Sequence, residues 1–182
     1  EAVSEYTASV QFVTSCGTIS AFPWEENFDG ISSGIPVCWD NAEGTSTNYK
    51  WTSYASGHEG RGLRFNCYNN SSGNTNFLKT PALAISKAAV LSFYYKNPAG
   101  GDFSVFYSVD GGAQTALLSG LTGVSEWTLK EQNLPEECIG HEVVIIFKGT
   151  SNYGYGDAYI YLDDVTVEEL SDCLKPTGAI VV

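Results

Sequence analysis

The sequence has little positive charge and no long hydrophobic run, and both absences restrict what it can bind. It contains 9 Lys and Arg against 21 Asp and Glu, a formal net charge of −12. An acidic surface of this kind repels the phosphates of DNA, RNA and anionic lipids. No apolar run approaches the roughly 20 residues that a membrane helix needs. Neither nucleic-acid binding nor membrane insertion is therefore expected.

Motifs for catalysis and for zinc binding are also missing. The chain has two histidines and five cysteines, with no CxxC pair, which argues against a zinc finger. The GxSxG, GxGxxG, P-loop and HExxH patterns are absent. A pair of Cys38 or Cys67 with His58 is conceivable in space as a nucleophile and base, but buried cysteines and a histidine in a surface loop are the simpler interpretation. We expect no enzymatic activity.

The odd number of cysteines leaves at least one thiol free within the chain. Cys16 and Cys173 stand near opposite ends of the predicted domain, and a disulfide between them is possible if the terminal strands lie side by side. Sequence alone does not give the connectivity.

Aromatic residues and glycines are abundant, and their pattern favours strands and turns. Aromatic residues make up 13% of the chain, apolar residues make up 43%, and there are 19 glycines. Runs of alternating or continuous apolar residues occur at 90–96, 103–109, 143–147 and 157–168, separated by turn-forming residues. This spacing predicts an all-β fold, an antiparallel β-sandwich.

Five elements, in order, resemble MAM-like and cleaved-adhesin domains of the gingipain haemagglutinin type. They are Phe22 to Gly30 (FPWEENFDG), Ile35 to Trp39 (IPVCW), Trp51 with Gly60 to Leu63 (GRGL), Phe77 to Leu83 (FLKTPAL) and Gly156 to Val167 (GDAYIYLDDVTV). The resemblance implies jelly-roll topology, a secreted or cell-surface location in a bacterium, and bound calcium.

The two ends of the chain resemble parts of neighbouring domains. Residues 1–17 are similar to the last strand of a fibronectin type III domain, and residues 171–182 to a linker and the start of another. Residues 18–170 form the predicted jelly-roll domain. The chain is thus predicted to be one module of a multidomain protein, with the flanking domains as partners within the same polypeptide.

The resemblance also implies a structural calcium site. The family places acidic residues in its opening strand and in a closing Asp-Asp pair, and the matching residues are Asp29 and Asp164 first, then Glu26 and Asp163. Calcium gathers six to eight oxygen ligands and would offset the cost of burying these carboxylates. Adjacent strand residues point to opposite faces, so both closing aspartates can ligate only if a β-bulge intervenes. Alternatively, these acids accept hydrogen bonds from turn amides or pair with Arg61, Arg64 or a lysine.

Aromatic rings near amide and hydroxyl groups are the candidate ligand-binding residues, because a flat apolar ring stacks on a sugar while polar groups bind its hydroxyls. The candidates are Tyr49, Trp51, Tyr54, Tyr153 and Tyr155. Core packing is the alternative, above all for Trp51, while Trp24 and Trp39 are predicted to be core residues.

These features together predict a non-catalytic module for adhesion or substrate targeting. A glycan is the first expected partner and a host surface protein the second. The alternative is a calcium-stiffened spacer that orders neighbouring domains and binds no ligand itself.

Overall fold

The computed structural model describes residues 16–153 and 158–171. Their fold is all-β, with eleven strands and one short 3-10 helix, Glu136–Cys138. The strands are β1 (Trp24–Glu26), β2 (Thr52–Tyr54), β3 (Gly62–Asn66), β4 (Thr75–Lys79), β5 (Leu83–Ile85), β6 (Ala89–Asn97), β7 (Asp102–Val109), β8 (Thr115–Leu118), β9 (Val124–Asn133), β10 (His141–Thr150) and β11 (Tyr159–Glu169). The described part of the chain contains no helix with the length and hydrophobicity of a membrane span.

The strands form two antiparallel sheets, which pack as the predicted jelly-roll sandwich. The front sheet has the order β2-β3-β11-β6-β9, and β1 also pairs with β11. The back sheet has the order β4-β10-β7-β8, and β5 also pairs with β10. The fibronectin-like segments predicted at the two ends fall almost wholly outside the described residues.

Alternation of side chains along the strands builds the core, as the sequence predicted. In β6, Leu91, Phe93 and Tyr95 are buried between the sheets, while their neighbours are only partly buried. Successive side chains of a strand point to opposite faces, so every second residue enters the core. The apolar run at 143–147 forms the centre of β10, between β4 and β7, and four of its five residues are buried.

Aromatic rings fill the space between the sheets. Phe93 contacts Phe147 edge-on with ring centroids 5.3 Å apart, and Phe103 stacks on Phe147 at 6.2 Å. Edge-to-face and offset pairs of this kind add about 0.5–1.5 kcal/mol beyond the apolar area they bury. Trp39 is buried as predicted, whereas Trp24 is half-buried and packs against Trp39 with the centroids 6.0 Å apart.

β11 receives two short strands end to end along the same edge. Its residues 159–162 pair with β3, and its residues 165–167 pair with β1. Its other edge pairs with β6, and the register shifts between Asp163 and Thr166. Asp164 lies within this irregularity and has φ 46°. The irregularity is a β-bulge of the kind that would allow both adjacent aspartates to point to one side of the strand.

The cysteine pairing differs from the sequence prediction. Cys16 is bonded to Cys38, so the suggested Cys16–Cys173 disulfide is wrong. The bond joins the start of the described chain to the segment just before Trp39, and the two cysteines are 22 residues apart in sequence. Cys67 and Cys138 are free and buried. Cys173 lies outside the described residues.

The packing between the two sheets predicts a specific sensitivity at Gly149. A Cβ added there would lie 2.5 Å from the ring of Phe65, which is fully buried. We expect Gly149→Ala to lower the free energy of unfolding by about 1–3 kcal/mol through overpacking. Chemical denaturation measures this, with Gly17→Ala as the control, because an added Cβ there meets nothing within 4 Å. Equal stability of the two variants would contradict the packing described.

Candidate functional site

The gap between β1 and β3 is closed by the loop at 57–61, which contacts the predicted acidic residues. Asp163 has no exposed surface. Its Oδ2 accepts a hydrogen bond from the backbone N–H of His58 at 2.6 Å, and its Oδ1 accepts one from the N–H of Asp164 at 2.8 Å. A Cβ added at Gly57 would lie 2.2 Å from Asp163 Oδ2. Glycine at position 57 therefore lets the loop reach the buried carboxylate.

The bulge turns the second aspartate toward the same loop. Asp164 Oδ2 lies 2.8 Å from Nδ1 of His58, and both side chains keep about a quarter of their surface exposed, 28% and 27%. The His58 ring stacks on Tyr94 with centroids 3.6 Å apart. Asp163 and Asp164 thus both contact His58, which strict strand alternation would not allow.

The two acids of the opening segment have separate local roles. Asp29 Oδ1 accepts a hydrogen bond from the backbone N–H of Arg61 at 2.7 Å. Glu26 Oε1 accepts one from the N–H of Phe28 at 2.9 Å. Asp29 and Asp163 therefore both accept hydrogen bonds from backbone amides of the loop at 57–61. Such bonds from turn amides are what the alternative to calcium binding predicted for these acids.

Burial changes the acidity of two of these carboxyl groups. Desolvation raises the pKa of Asp163 to about 7, the nearby negative charge of Asp164 adds to this, and hydrogen bonds from backbone amides oppose it. Desolvation also raises the pKa of Glu26, and the hydrogen bond from Phe28 opposes it. A cation near these groups would favour their charged forms.

The oxygen ligands of this region are of the kind that calcium prefers. However, the residues that the structure describes include no group of three His, Cys, Asp or Glu side chains arranged to hold a metal. A calcium ion here would need main-chain carbonyl or water oxygens in addition to the carboxylates.

Next to this loop, the outward face of the front sheet carries a cluster of aromatic rings, which we call the front-face cluster. The rings of Tyr54 and Tyr161 lie 5.2 Å apart, those of Tyr159 and Tyr161 lie 5.9 Å apart, and those of Trp127 and Tyr161 lie 6.1 Å apart. Tyr161 is buried at the centre, and the other three rings are half-buried around it. The cluster therefore crosses the sheet from β2 to β9.

Two cationic side chains lie over these rings. The guanidinium carbon of Arg64 is 4.8 Å from the centroids of both Tyr54 and Tyr159. The ammonium of Lys96 is 4.9 Å from the centroid of Tyr161. Strand register explains the arrangement, because Tyr161 pairs with Arg64 of β3 on one side and with Lys96 of β6 on the other.

A groove of about 420 Å³ adjoins the cluster at the β2 edge and shares Arg64 with it. Its lining is rich in amide and hydroxyl groups, and the residues are Gly34, Asn41, Thr47, Asn48, Tyr49, Lys50, Trp51, Thr52, Arg64 and Asn66. The groove and the front-face cluster therefore form one continuous surface that combines rings, hydrogen-bonding groups and cations.

The aromatic residues that the sequence predicted as ligand-binding lie in different parts of the structure. Tyr49 lines the groove, and Tyr54 belongs to the front-face cluster. Trp51 is 1% exposed and packs on Phe65 and Phe103, so its ring is a core element and presents no face for stacking.

The other predicted pair lies in the loop before β11. Tyr153 is 56% exposed, and the structure does not bring it into the front-face cluster. Tyr155 lies outside the described residues. Three members of the cluster, Tyr159, Tyr161 and Trp127, were not predicted as site residues, although alternation in the last strand already places the two tyrosines on one face.

Neither Cys38 nor Cys67 can act as the nucleophile that the sequence left conceivable beside His58. Cys38 is bonded to Cys16. Cys67 is fully buried, and desolvation raises the pKa of its thiol to about 12, so no thiolate forms at neutral pH.

The pKa of Asp163 predicts how stability depends on pH. Its folded-state pKa of about 7 lies above the ordinary 3.8, so its contribution to stability is complete below about pH 4 and is lost as pH rises through about 7. We expect the unfolding free energy of the wild type, relative to Asp163→Asn, to fall over this range by at most about 1.4 kcal/mol per pH unit.

Denaturant titrations in the presence of a chelator measure this dependence. The control is Asp102→Asn, which changes an exposed aspartate of β7. Parallel pH profiles for the wild type and Asp163→Asn would contradict the proposed ionisation.

Comparison with known proteins gives likenesses at the level of structure. No protein-family model matches the sequence, and no curated protein matches it significantly. Among solved structures, the K3 cleaved adhesin domain of Lys-gingipain from Porphyromonas gingivalis W83 has a TM-score of 0.64 and 20% identity, covering 81% of this chain and 98% of that one. The K1 domain of the same protein has a TM-score of 0.65 and 19% identity, covering 83% and 100%.

A third neighbour is TmCBM61, which was solved in complex with β-1,4-galactotriose. Its TM-score is 0.58 and its identity 16%, with coverage of 79% of this chain and 94% of that one. Identities this low establish likeness of fold. The chain therefore has the β-sandwich fold of the cleaved adhesin domains, as its sequence motifs predicted.

Proposed function

We propose that this chain is a non-catalytic, carbohydrate-binding module that serves adhesion or substrate targeting in a secreted or cell-surface bacterial protein. The observation that carries the proposal is the continuous surface formed by the front-face cluster and the adjoining groove. Sugars present apolar C–H faces and a rim of hydroxyl groups, and a surface that combines aromatic rings with amides and hydroxyls matches both.

The groups of this surface are positioned by regular structure. Tyr54, Tyr159, Tyr161 and Trp127 all stand on strands of one sheet. Asn66 is the last residue of β3 and pairs directly with Tyr159, so a groove amide lies beside a cluster ring. Sites that are built on strands are held more precisely than sites on loops.

The comparisons support this proposal through the fold alone. One neighbour of similar fold was solved with a galactotriose, while weaker neighbours include an arabinofuranosidase and a cyclase. The described histidines favour a binding role over catalysis, because His58 pairs with Asp164 and His141 with Asp110. Ser86 lines a pocket with His141, but its hydroxyl donates a hydrogen bond to Glu169 and none to the histidine.

The disulfide between Cys16 and Cys38 supports the proposed location, because disulfides persist in oxidising compartments outside the cytosol. Flanking domains of the same polypeptide and a host surface protein remain the further proposed partners.

A glycan array and affinity electrophoresis in polysaccharide gels test the function. We expect the wild type to bind at least one polysaccharide, and Trp127→Ala to weaken that binding about tenfold, which corresponds to about 1.4 kcal/mol. The control is Phe106→Ala, because Phe106 is a half-buried aromatic residue on the outward side of the back sheet.

The same measurements with Tyr153→Ala separate the front face from the loop that the sequence suggested. Loss of binding in Tyr153→Ala but not in Trp127→Ala would move the site to that loop. Absence of binding to every glycan would contradict the function and favour the spacer alternative.

We also propose that calcium stabilises the fold at the loop held by Asp29 and Asp163. The proposal is supported by a fully buried carboxylate, by its neighbour Asp164 and by the oxygen ligands available there. Bound calcium stabilises by RT ln(1 + [Ca]/Kd), which is about 2.7 kcal/mol at a hundredfold excess over Kd. We expect the wild type to melt at a higher temperature in millimolar calcium than in chelator, and Asp164→Asn to reduce the difference. An unchanged melting temperature would contradict calcium binding.

A further inference from the structure

The groove at the β2 edge has a charge opposite to that of the chain as a whole. Acidic residues outnumber basic residues by 21 to 9, yet the groove lining includes Lys50 and Arg64 and, among the described residues, no Asp or Glu. A protein of this composition repels anions over most of its surface, so a groove whose charged lining residues are both cations is a place where an anion can bind.

The guanidinium of Arg64 is held in place by ring contacts and by no acidic partner. It lies 4.8 Å from the centroids of both Tyr54 and Tyr159. Within residues 16–153 and 158–171 it makes no hydrogen bond or ion pair. Cation–π contacts are attractive, because the face of an aromatic ring carries partial negative charge. The group is therefore oriented in advance, while its N–H donors stay available to a ligand.

The chemistry of a fixed guanidinium selects the ligand. A guanidinium binds carboxylate, sulfate or phosphate through two parallel hydrogen bonds, and such charge-assisted bonds are about twice as strong as neutral ones. A neutral sugar satisfies neither the charge nor this paired geometry. In addition, Arg64 lies over the half-buried rings of Tyr54 and Tyr159, so a sugar that stacks beside these rings also meets the guanidinium.

We propose that the groove and the front-face cluster bind an anionic saccharide, whose acidic groups contact Arg64 and Lys50. This inference rests on the proposed carbohydrate-binding function and specifies its ligand class. The amides and hydroxyls of Asn48, Thr52 and Asn66 bind the sugar hydroxyls in the same groove. Carboxylate of a uronic acid and sulfate of a sulfated glycan share this chemistry, and the experiment separates them.

Electrostatic range explains how such a ligand is tolerated by an acidic protein. The Debye length at physiological ionic strength is about 8 Å, so the cations in the groove dominate at contact distance while more distant carboxylates are screened. A nucleic acid carries a denser line of charge that extends far beyond the groove and meets the net charge of −12. A saccharide whose acidic groups are spaced along the chain is the better match.

Affinity electrophoresis with four polysaccharides tests the inference. The probes are polygalacturonate, its fully methyl-esterified form, dextran sulfate and neutral β-1,4-galactan. We expect the wild type to bind at least one of the two anionic polymers about tenfold more tightly than either uncharged polymer. Binding to polygalacturonate alone identifies a uronate ligand, and binding to dextran sulfate alone identifies a sulfated ligand. Binding should weaken as salt is raised to about 0.5 M, where surface charges are screened within a few ångströms.

Variants connect the binding to the named cations. We expect Arg64→Gln and Lys50→Gln each to lower the affinity for the anionic polymer about tenfold, and Arg64→Lys to recover only part of it, because lysine lacks the planar pair of donors. Lys50 lies on the loop before β2, away from the stacked tyrosines. Lys50→Gln therefore still tests the inference if Arg64→Gln disturbs the packing of Tyr54 and Tyr159. The matched control is Lys148→Gln, because Lys148 also lies over two rings, Phe77 and Phe106, but on the back sheet.

The outcomes distinguish this inference from the function on which it rests. Equal affinity for anionic and uncharged polymers, with no effect of Arg64→Gln or Lys50→Gln, would overturn the inference and leave carbohydrate binding intact. Equal losses in Lys148→Gln would also overturn it, because attraction would then depend on overall charge. Binding to none of the polymers would overturn both proposals.

Discussion

The strand β11 is the element on which the rest of the front sheet depends, because it pairs with three other strands. β3 and β1 share one of its edges and β6 occupies the other, so its register fixes which side chains meet on the outward face. Before the bulge, its alternation sends Ile160 and Leu162 into the core and leaves Tyr159 and Tyr161 on the other face. After the bulge, Val165 and Val167 return to the core.

The bulge separates two chemical environments on one strand. On its amino-terminal side, the tyrosines lie beside Arg64 and Lys96, which neighbouring strands bring into contact with the rings. At the bulge itself, Asp163 and Asp164 turn toward the loop at 57–61, which fills the gap between β3 and β1. The groove at the β2 edge includes Lys50 and Arg64 and, among the described residues, no Asp or Glu.

The sequence predicted those parts of the structure that depend on local pattern. The alternation of apolar residues in β6 and β7 predicted these strands and their buried faces. The family motifs predicted that the acidic residues of the opening and closing strands lie in one region. Asp29 and Asp164 each contact the loop at 57–61, through Arg61 and His58, and their role as metal ligands stays a prediction. These features follow from residue spacing within one strand, or from motifs whose order along the chain is known.

The remaining features depend on contacts between residues that are distant in sequence. Arg64 stands over Tyr159 only because β3 and β11 pair in one particular register, and no local pattern specifies that register. Cys16 reaches Cys38 through 22 residues of mostly irregular chain, whose path the sequence does not reveal. Burial of Trp51 is also a tertiary effect, because Asn76 and two phenylalanines from other strands enclose it.

The central claim is that a ligand binds to the outward face of the front sheet and its adjoining groove, with Arg64 at the junction. The most direct measurement is a titration of the isotope-labelled chain with a galacturonate oligosaccharide, followed by amide and arginine side-chain NMR signals. The account predicts that the perturbed signals fall in the segment 47–54, in β3 and in the first half of β11, together with the guanidinium of Arg64. Perturbations confined to the back sheet or to the loop around Tyr153 would contradict it.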